Sequence, residues 1–563
     1  MAPTNPLSSA EKASSGDHVT GVQIDGIANH EVLMAAKAED DEHRMTLWEA
    51  LRKHKKAAAW SAALSAGLIM EGYDLVVINS FLGQKQFVDA YGKGDPKVIS
   101  APWQSGLVNA SLVGQIVGLA LVGLLSDRLG YRKTYCLGMA MMACTIFITF
   151  FSTSLPVLAV GGWACGIPWG MFQTLTTAYA AEVCPIQLRA YLTAYINMCW
   201  GIGILLSSGV VRATLDIQSK WAYKLPFAVQ WVWPVPLFLV AYFAPESPRW
   251  LVRMGREDEA KQAIKRLTDS SMYDEREAEG QLALLKATDA MEREAHAGTS
   301  FLDCFRGVNR RRTEIACAVF ATQYLSGGPM IGFAVLFLQK AGLSEKNAFT
   351  MNLAITAQYS IGTIISFFLM RRLGRRFLYL SGIGLMAIAC LIIGCLGIKE
   401  TKAASLAIGA LLVFLNLAYN VSIGPVCYTL VAELGSTRLR AKTVVLARLT
   451  YNLSGLICNT LQPRMIDTAE WGWGPRCGFF WLGTASLMFT YCFFRLPETK
   501  DRSFGELDAL FENRIKARNF KSTNVDLFGL AHGAYNASTT MPALAHESTS
   551  RSSDDAKSDE KKV

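Results

Sequence analysis

The chain has 563 residues, of which 51% are hydrophobic and only 18% are charged. Soluble domains carry about 25% charged residues, so this composition excludes an ordinary soluble enzyme. The supply of apolar residues also excludes a largely disordered chain. The formal net charge is +9, and its placement is informative because long stretches carry no charge.

The first 56 residues are polar and end in a basic cluster at Arg52, Lys53, Lys55 and Lys56. No short apolar segment with a cleavage site precedes the first long apolar run, so we expect no signal peptide. Basic residues directly before a first span favour the cytosol for that end of the chain. We therefore predict a multi-pass protein of the plasma membrane with both termini in the cytosol.

Twelve apolar runs follow, each close to the ~20 residues that a helix needs to cross the hydrocarbon core. They lie at residues 57–81, 105–126, 134–152, 157–181, 191–211, 226–244, 315–338, 348–370, 377–398, 403–432, 443–463 and 477–494. The predicted fold class is an all-α membrane protein with twelve transmembrane helices in two six-helix halves.

The predicted domain organisation follows from where the polar segments lie. The two halves comprise residues 57–244 and 315–496. Residues 245–314 between them are charged and helix-forming, which predicts a cytosolic helical linker. The segments 1–56 and 497–563 are predicted to be cytosolic tails, the second largely disordered after about residue 511. That tail is rich in serine and lysine, so we expect it to be open to phosphorylation and to the ubiquitination machinery.

Histidine and cysteine positions exclude several kinds of chemistry. All seven histidines lie outside the apolar runs, so no histidine relay crosses the membrane. The thirteen cysteines form no CxxC pair, and we interpret them as packing residues. No nucleophile–base set, metal cluster or phosphate-binding loop is present, which disfavours an enzyme. We expect no cofactor, no metal and no nucleic-acid partner.

Three charged patterns recur in the same order in both halves. Residues 127–132 (DRLGYR) correspond to 371–376 (RRLGRR), 182–190 (EVCPIQLRA) to 433–441 (ELGSTRLRA), and 245–249 (PESPR) to 497–502 (PETKDR). Three matches in order indicate a duplicated six-span unit.

Each pattern places acids and arginines at predicted cytosolic helix ends, where bidentate pairs can latch two halves that rock about a central site. The alternative is that these charges set topology only, but topology requires no acids. The predicted gating residues are Asp127, Arg128, Arg132, Glu182, Arg189, Glu246, Arg249, Arg372, Glu433, Arg440 and Glu498.

Over residues 45–511 these motifs resemble the sugar porters of the major facilitator superfamily. Within that group the sequence is most similar to fungal maltose permeases, the α-glucoside:proton symporters. The residues that carry this similarity are 71–74 (EGYD), 166–173 (GIPWGMFQ), 437–448 (TRLRAKTVVLAR), 462–465 (QPRM) and 471–474 (WGWG). The resemblance implies proton-coupled sugar uptake by alternating access, with an α-glucoside such as maltose as substrate. We expect a monomeric transport unit.

Two acids stand away from the span ends, Glu71 and Asp74, both in the first run. Charges inside a membrane are costly and mark proton or ion pathways. Their spacing places both on one helical face, so we predict that they couple protons to sugar. The alternative is a structural pair neutralised by Arg448 or by Arg464. The resemblance implies a third acid in the second span, where Gln115 stands here, so an uncoupled facilitator stays open.

A sugar site needs amides for hydroxyl groups and aromatic faces for the C–H side of the ring. Such side chains at membrane depth occur in both halves, which favours a central site, although each one alone can be an interhelical hydrogen bond. The predicted substrate-binding residues are Gln173, Asn197, Trp200, Gln323, Tyr324, Gln358, Tyr428 and Asn452, with Asn352 at similar depth.

The sequence departs from the pattern of hexose porters. Pro329 stands where those proteins have an asparagine, Asn197 where they have a glutamine, and Tyr428 where they have a tryptophan. These changes disfavour glucose and agree with a site for two rings. Cellobiose, lactose, a hexose and a receptor that senses sugar without transport remain alternatives.

Overall fold

The computed structural model describes residues 34, 37, 38, 41, 44–296, 300–398, 401–436, 439–500, 502 and 504–523. The membrane helices of the first half are Lys55–Ser65 with Gly67–Phe81, Ala101–Leu129, Tyr131–Phe150, Leu155–Val183, Ile186–Thr214, and Trp221–Val229 with Pro234–Phe243. Those of the second half are Gly307–Leu325 with Gly328–Gly332 and Ala334–Lys340, Glu345–Leu373, Arg375–Leu396, Lys402–Val421 with Ile423–Leu434, Arg440–Ile466, and Cys477–Arg495.

We number these spans first to twelfth in chain order. Ten of them are long and apolar enough to cross a membrane. The other two are the seventh, which is a broken helix, and the eleventh, which is more polar. The predicted all-α class with twelve membrane helices is thereby confirmed. The shorter helices outside the spans are Leu47–Lys53, Lys85–Tyr91, Pro248–Arg253, Glu257–Leu267, Glu275–His296 and Phe504–Glu512.

The seventh span is a broken helix, although its apolar run at 315–338 is continuous in sequence. Gly327 has a φ of 96°, in the left-handed region that glycine enters at low cost. Pro329 follows in the first turn of the next helix, where its missing N–H costs least. In membrane proteins, irregular backbone is tolerated where it lines a cavity, and this break does so.

Glycines allow close contact between the first and fifth spans and between the second and fourth spans. A Cβ on Gly170 of the fourth span would lie 2.3 Å from the carbonyl oxygen of Gln115 in the second. A Cβ on Gly72 of the first span would lie 2.4 Å from the carbonyl oxygen of Trp200 in the fifth. Small residues allow such backbone contact between membrane helices. This packing places Glu71, Gln115 and Trp200 around one centre.

The linker helices lie at the face of the bundle where the first span begins, which we call the terminal face. Lys53 pairs with Glu277 and Lys55 with Asp269, each at 2.6 Å. The Asp269 N–H also donates to the Lys53 carbonyl at 2.8 Å. Burial between these pairs lowers the pKa of His54 to about 4. The linker is therefore docked onto the base of the first span.

The two halves are hydrogen-bonded to each other toward the opposite face. Asn109 of the second span donates to Thr460 of the eleventh at 2.8 Å. Gln339 of the seventh span donates to the Gly83 carbonyl at 2.6 Å. Nearby, the Lys85 N–H donates to the Glu345 carboxylate at 3.0 Å. This side of the interface is closed in the described conformation.

The last described segment packs against the bundle. Phe520 is fully buried and its ring lies 5.0 Å from that of Phe511. The prediction of a largely disordered tail after about residue 511 concerns mainly residues outside the described ones. The Arg311 guanidinium donates to the Ile515 carbonyl at 2.8 Å. The chain after the twelfth span therefore packs against the start of the seventh as far as residue 523.

Candidate functional site

A polar bridge connects the two halves at the level of the first-span acids. Gln173 of the fourth span donates from Nε2 to Glu71 and, at 3.2 Å, to Gln115. Its Oε1 accepts from Nε and Nη2 of Arg448 in the eleventh span, at 3.1 and 2.7 Å. We call Glu71, Gln173 and Arg448 the central bridge. One neutral amide thus separates a carboxyl of the first half from a guanidinium of the second.

Arg448 is held in an aromatic enclosure. Its Nη1 donates to the Tyr428 hydroxyl at 3.1 Å. The guanidinium carbon lies 4.6 Å from the centre of the Tyr451 ring and 5.9 Å from that of Phe320. Desolvated cation–π contacts of this kind are favourable by about 2 kcal/mol. Within the described residues, the cation is therefore stabilised without a direct contact to an acid.

Asp74 has a different environment from Glu71. It is 2% exposed, and neither carboxylate oxygen accepts a well-formed hydrogen bond within the described residues, although the Gln230 amide and the Trp169 N–H are donors close to it. Trp169 and Gln230 are the polar side chains that approach it. An unsatisfied buried polar group costs about 1–3 kcal/mol. The two acids predicted as a pair are therefore distinct in structure, because Glu71 enters the central bridge while Asp74 lines a cavity.

The cavity lies between the halves and has a volume of about 250 Å³. Both halves contribute polar and aromatic side chains to it. These are Asp74, Asn79, Ser80, Ser111 and Trp169 from the first half, and Gln323, Tyr324, Asn352, Thr356, Tyr359, Asn416, Tyr419, Tyr451 and Asn459 from the second. The amides and rings are the groups that a sugar site requires.

The seventh and tenth spans meet in a polar contact at this cavity. The Tyr419 hydroxyl donates to Gln323 Oε1 at 2.5 Å, and Gln323 Nε2 lies 3.0 Å from the Cys427 sulfur. Tyr324 packs against Tyr451, with ring centroids 4.7 Å apart. The predicted pair Gln323 and Tyr324 therefore lines the cavity.

The other predicted substrate residues lie outside the cavity lining. Asn197 donates to Thr363 at 3.0 Å and accepts from Tyr359 at 3.2 Å, which joins the fifth and eighth spans. The Trp200 ring lies 6.4 Å from that of Tyr428. Asn452 is fully buried, with neither amide atom hydrogen-bonded within the described chain.

Two further predicted residues, Gln358 and Arg464, lie in the eighth and eleventh spans. Gln358 is partly buried in the eighth span. Arg464 lies near the end of the eleventh span, where its carbonyl accepts from the Trp471 N–H at 3.1 Å. Of the two arginines considered as partners for the acids, Arg448 is the one that reaches Glu71 through Gln173.

Sequence reasoning missed several cavity residues of the second half. Asn416 donates to the Ile355 carbonyl at 2.5 Å and accepts from Asn420 at 3.0 Å. Asn416 and Asn420 share a helical face by their spacing, which is a signal that the sequence carried. Tyr359, Tyr419 and Tyr451 had no such signal, since tyrosines are common in membrane helices.

Two of the predicted gating acids of the first half, Glu182 and Glu246, accept hydrogen bonds from Tyr131 at the start of the third span. Glu182 accepts from the hydroxyls of Tyr131 and Ser247, at 2.8 and 2.5 Å. Glu246 accepts from the backbone N–H groups of Tyr131 and Arg132, at 2.9 and 3.2 Å. These N–H groups begin the third span, so the acid caps that helix. Burial raises the pKa of Glu246.

The second half repeats this arrangement. Glu433 accepts from the Arg375 guanidinium at 3.0 Å and from the Thr499 hydroxyl at 2.5 Å. Glu498 accepts from the backbone N–H groups of Arg375 and Arg376, at 2.9 and 3.2 Å. The turn glycines Gly130 and Gly374 both have a φ of 87°. The duplication read from three sequence motifs is therefore present at the level of individual hydrogen bonds.

The arginines of these motifs do not repeat the same contacts in both halves. Arg132 stacks over Tyr242 at 5.1 Å, and Asp127 lies 3.6 Å from Arg253 of the linker. Arg128 and Arg372 are exposed, Arg249 and Arg440 are partly buried, and the side chain of Arg189 lies outside the described residues. The hydrogen bonds given above for the four acids stay within one half. A latch between the halves therefore stays a prediction.

A duplicated twelve-span bundle, with a polar bridge and a cavity between its halves, defines a transporter of the alternating-access class. Residues 60–511 match the family described as "Sugar (and other) transporter". The chain belongs to this sugar transporter family, and the expected resemblance is confirmed.

Two relatives from Saccharomyces cerevisiae cover most of the chain. The maltose permease MAL31 is 41% identical over 514 residues, which cover 89% of this chain and 83% of that protein. The general alpha-glucoside permease is 38% identical over 528 residues, which cover 92% and 84%.

Solved structures show the same fold. The proton:xylose symporter XylE bound to 6-bromo-6-deoxy-D-glucose has a TM-score of 0.66 at 20% identity, over 81% of this chain and 99% of that chain. The inward open conformation of the xylose transporter XylE from E. coli has a TM-score of 0.62 at 19% identity, over 81% and 99%. The fold is that of the major facilitator superfamily.

Proposed function

We propose that this protein is a proton-coupled sugar symporter of the plasma membrane that takes up an α-glucoside such as maltose. The observation that carries the proposal is the central bridge beside the cavity. It connects an intramembrane acid of one half to a cation of the other. The protonation state of that acid can therefore influence how tightly the halves hold together.

The proposed coupling works through the strength of one hydrogen bond. Ionised Glu71 accepts a charge-assisted bond from Gln173, and such bonds are roughly twice as strong as neutral ones. Protonation of Glu71 weakens this bond and loosens the link to Arg448. Asp74 lines the cavity, with Gln230 and Trp169 as its polar neighbours, and in this proposal it holds the proton beside the sugar.

The energetics favour a coupled mechanism. One pH unit supplies about 1.4 kcal/mol and a potential of 100 mV about 2.3 kcal/mol per charge. Their sum supports a sugar gradient of several hundredfold, with roughly 1.4 kcal/mol for each factor of ten. The sugar is moved without chemical conversion.

An α-glucoside is the proposed substrate because relatives with about 40% identity are named for maltose and alpha-glucosides. The cavity offers amides from both halves and the rings of Tyr324, Tyr419 and Tyr451. Its volume of about 250 Å³ is below the roughly 300–1,000 Å³ typical of ligand pockets. We infer that the halves separate further to admit a two-ring sugar.

In this proposal the terminal face is cytosolic. Four lysines and arginines directly precede or begin the first span there, as the positive-inside rule requires. The predicted gating residues lie on this face, and their latch would form when the opposite side opens. Ubiquitination of the tails is proposed for segments outside the described residues, and the transport unit is proposed to be a monomer.

A second candidate function is facilitated diffusion without protons. The observation that favours it is Gln115, which contacts Gln173 at 3.2 Å where the family resemblance implies a third acid. A neutral amide there reduces the number of titratable groups at the bridge.

The test is uptake in yeast cells that lack their own sugar transporters. Labelled maltose, trehalose, sucrose, cellobiose, lactose and glucose are compared while the pH of an unbuffered medium is recorded. We expect concentrative maltose uptake with alkalinisation of the medium. Uptake that only equilibrates, with no pH change, would establish the facilitator. Surface expression without uptake of any sugar would favour a receptor.

A further inference from the structure

A second pocket lies at the terminal face, away from the central bridge. It has a volume of about 840 Å³ and is formed by the ends of the seventh and twelfth spans together with the chain that follows the twelfth. Of its eleven lining residues, five are basic and none is acidic. We call it the basic pocket, and its cations are Arg311, Arg495, Arg514, Lys516 and Arg518.

The charge of this pocket is only partly compensated by the protein. Arg495 pairs with Glu314 at 2.8 Å. Arg311 donates to a backbone carbonyl, while its buried Nε has no hydrogen-bond partner among the described residues. Arg514 and Lys516 stand exposed at the rim. Several guanidinium groups around one open volume form a site for a multiply charged phosphate ligand.

The position of the pocket indicates where that ligand comes from. Phe493 and Phe494, in the last turns of the twelfth span, are 40% and 58% exposed. Because these exposed apolar rings end a membrane span, they face lipid near the surface of the bilayer. Arg518 stacks on both rings, at 4.4 and 4.6 Å. The pocket therefore opens at the membrane surface, where basic pockets bind lipid headgroups.

We propose that the basic pocket binds the multiply phosphorylated headgroup of an anionic membrane lipid. The binding does not involve the central bridge or the cavity. The lipid would hold the segment that follows the twelfth span against the start of the seventh span, since both supply cations to the pocket.

The test titrates a short-chain phosphatidylinositol bisphosphate into the purified full-length protein. Short-chain phosphatidylserine serves as a lipid with a single phosphate, and inositol trisphosphate as the soluble headgroup. The double substitution Arg514→Gln with Lys516→Gln removes two exposed cations from the pocket. Its matched control, Arg276→Gln with Lys265→Gln, removes one exposed arginine and one exposed lysine from the linker helices on the same face.

We expect the pocket variant to bind the bisphosphate lipid about tenfold more weakly than the parent protein does, with the control changed by less than about twofold. Unaltered melting temperatures would show that both variants fold. Equal affinity of the two variants for the lipid would overturn the site. Inositol trisphosphate binding as tightly as the lipid would overturn the membrane origin of the ligand. Phosphatidylserine binding as tightly as the bisphosphate would overturn the requirement for several phosphates.

Discussion

Substitution of Asp74 by asparagine separates proton coupling from sugar movement. Asparagine has nearly the volume of aspartate but does not titrate. Asp74 accepts no well-formed hydrogen bond from the described residues, and the Oδ1 of asparagine can still accept from the nearby Gln230 and Trp169 side chains. Its 2% exposure leaves no room for a bulkier probe. The substitution therefore removes the ionisable group while leaving the packing around it in place.

The expected magnitude follows from the driving force. One pH unit and 100 mV together supply about 3.7 kcal/mol, which sets an upper limit of roughly 500-fold on sugar accumulation for a one-proton symporter. An uncoupled carrier reaches only equal concentrations. We expect Asp74→Asn to accumulate maltose no more than about twofold. Exchange across the membrane should stay within about threefold of the parent rate. A threefold change corresponds to about 0.7 kcal/mol in the activation free energy, and the substitution removes no well-formed hydrogen bond.

The assay uses transporter-deficient yeast and measures three quantities for each variant. These are accumulation of labelled maltose, exchange of internal for external maltose, and alkalinisation of the medium. Asp89→Asn is the matched control, because it removes the same charge from an exposed position outside the spans. The control should behave as the parent protein does. Concentrative uptake with undiminished proton influx by Asp74→Asn would refute the proposed role of this acid.

Three further changes test other parts of the structure. Gln173→Leu removes two hydrogen bonds to Arg448, each worth about 1.5–3 kcal/mol, so the maximal uptake rate should fall at least about tenfold. Gln115→Leu loses one neutral hydrogen bond, so its uptake rate should fall less. Equal losses of rate in the two variants would contradict the role of the central bridge. His54 has a pKa of about 4, below its unfolded value of 6.5, so stability is complete above pH 6.5 and declines as pH falls toward 4. Between pH 7.5 and 5.0 the loss is about 2 kcal/mol, and His54→Gln should flatten the decline in melting temperature over this range. Glu246→Ala removes the acceptor for the first N–H groups of the third span and should lower the free energy of unfolding by about 1–3 kcal/mol. Thermal melts in detergent would measure this effect, and an unchanged melting temperature would contradict the capping role.

The architecture was predictable because its signals are local or repetitive. Twelve apolar runs follow directly from the length that a bilayer requires. The duplication was visible because Glu246 and Glu498 recur in matching motifs. Their partners were not visible, since each acid binds backbone N–H groups that every sequence position carries. Only the fold, which brings Glu246 to Gly130 and Glu498 to Gly374, shows that these acids cap helices.

The site was only partly predictable, for a related reason. Glu71 and Asp74 could be found because charge is rare inside a membrane. Their separation into a bridge acid and a cavity acid could not, because it depends on which spans approach them. Gly72 lets the first span contact the fifth, and Gly170 lets the fourth span contact the second. These contacts depend on the tertiary structure. The same dependence hid Tyr419, whose role arises only where the tenth span meets the seventh.

The neutral amide in the central bridge has an energetic consequence for coupling. A direct ion pair at 4 Å would be worth about 4 kcal/mol at an effective dielectric constant of 20. That equals the entire driving force of about 3.7 kcal/mol from one pH unit and 100 mV. A contact of that strength between Glu71 and Arg448 would have to be broken each time the halves separated, which would raise the barrier to opening. Gln173 increases the distance between the charges, and the Coulomb energy falls in inverse proportion to distance. The bridge can therefore respond to a single proton and still open in every transport cycle.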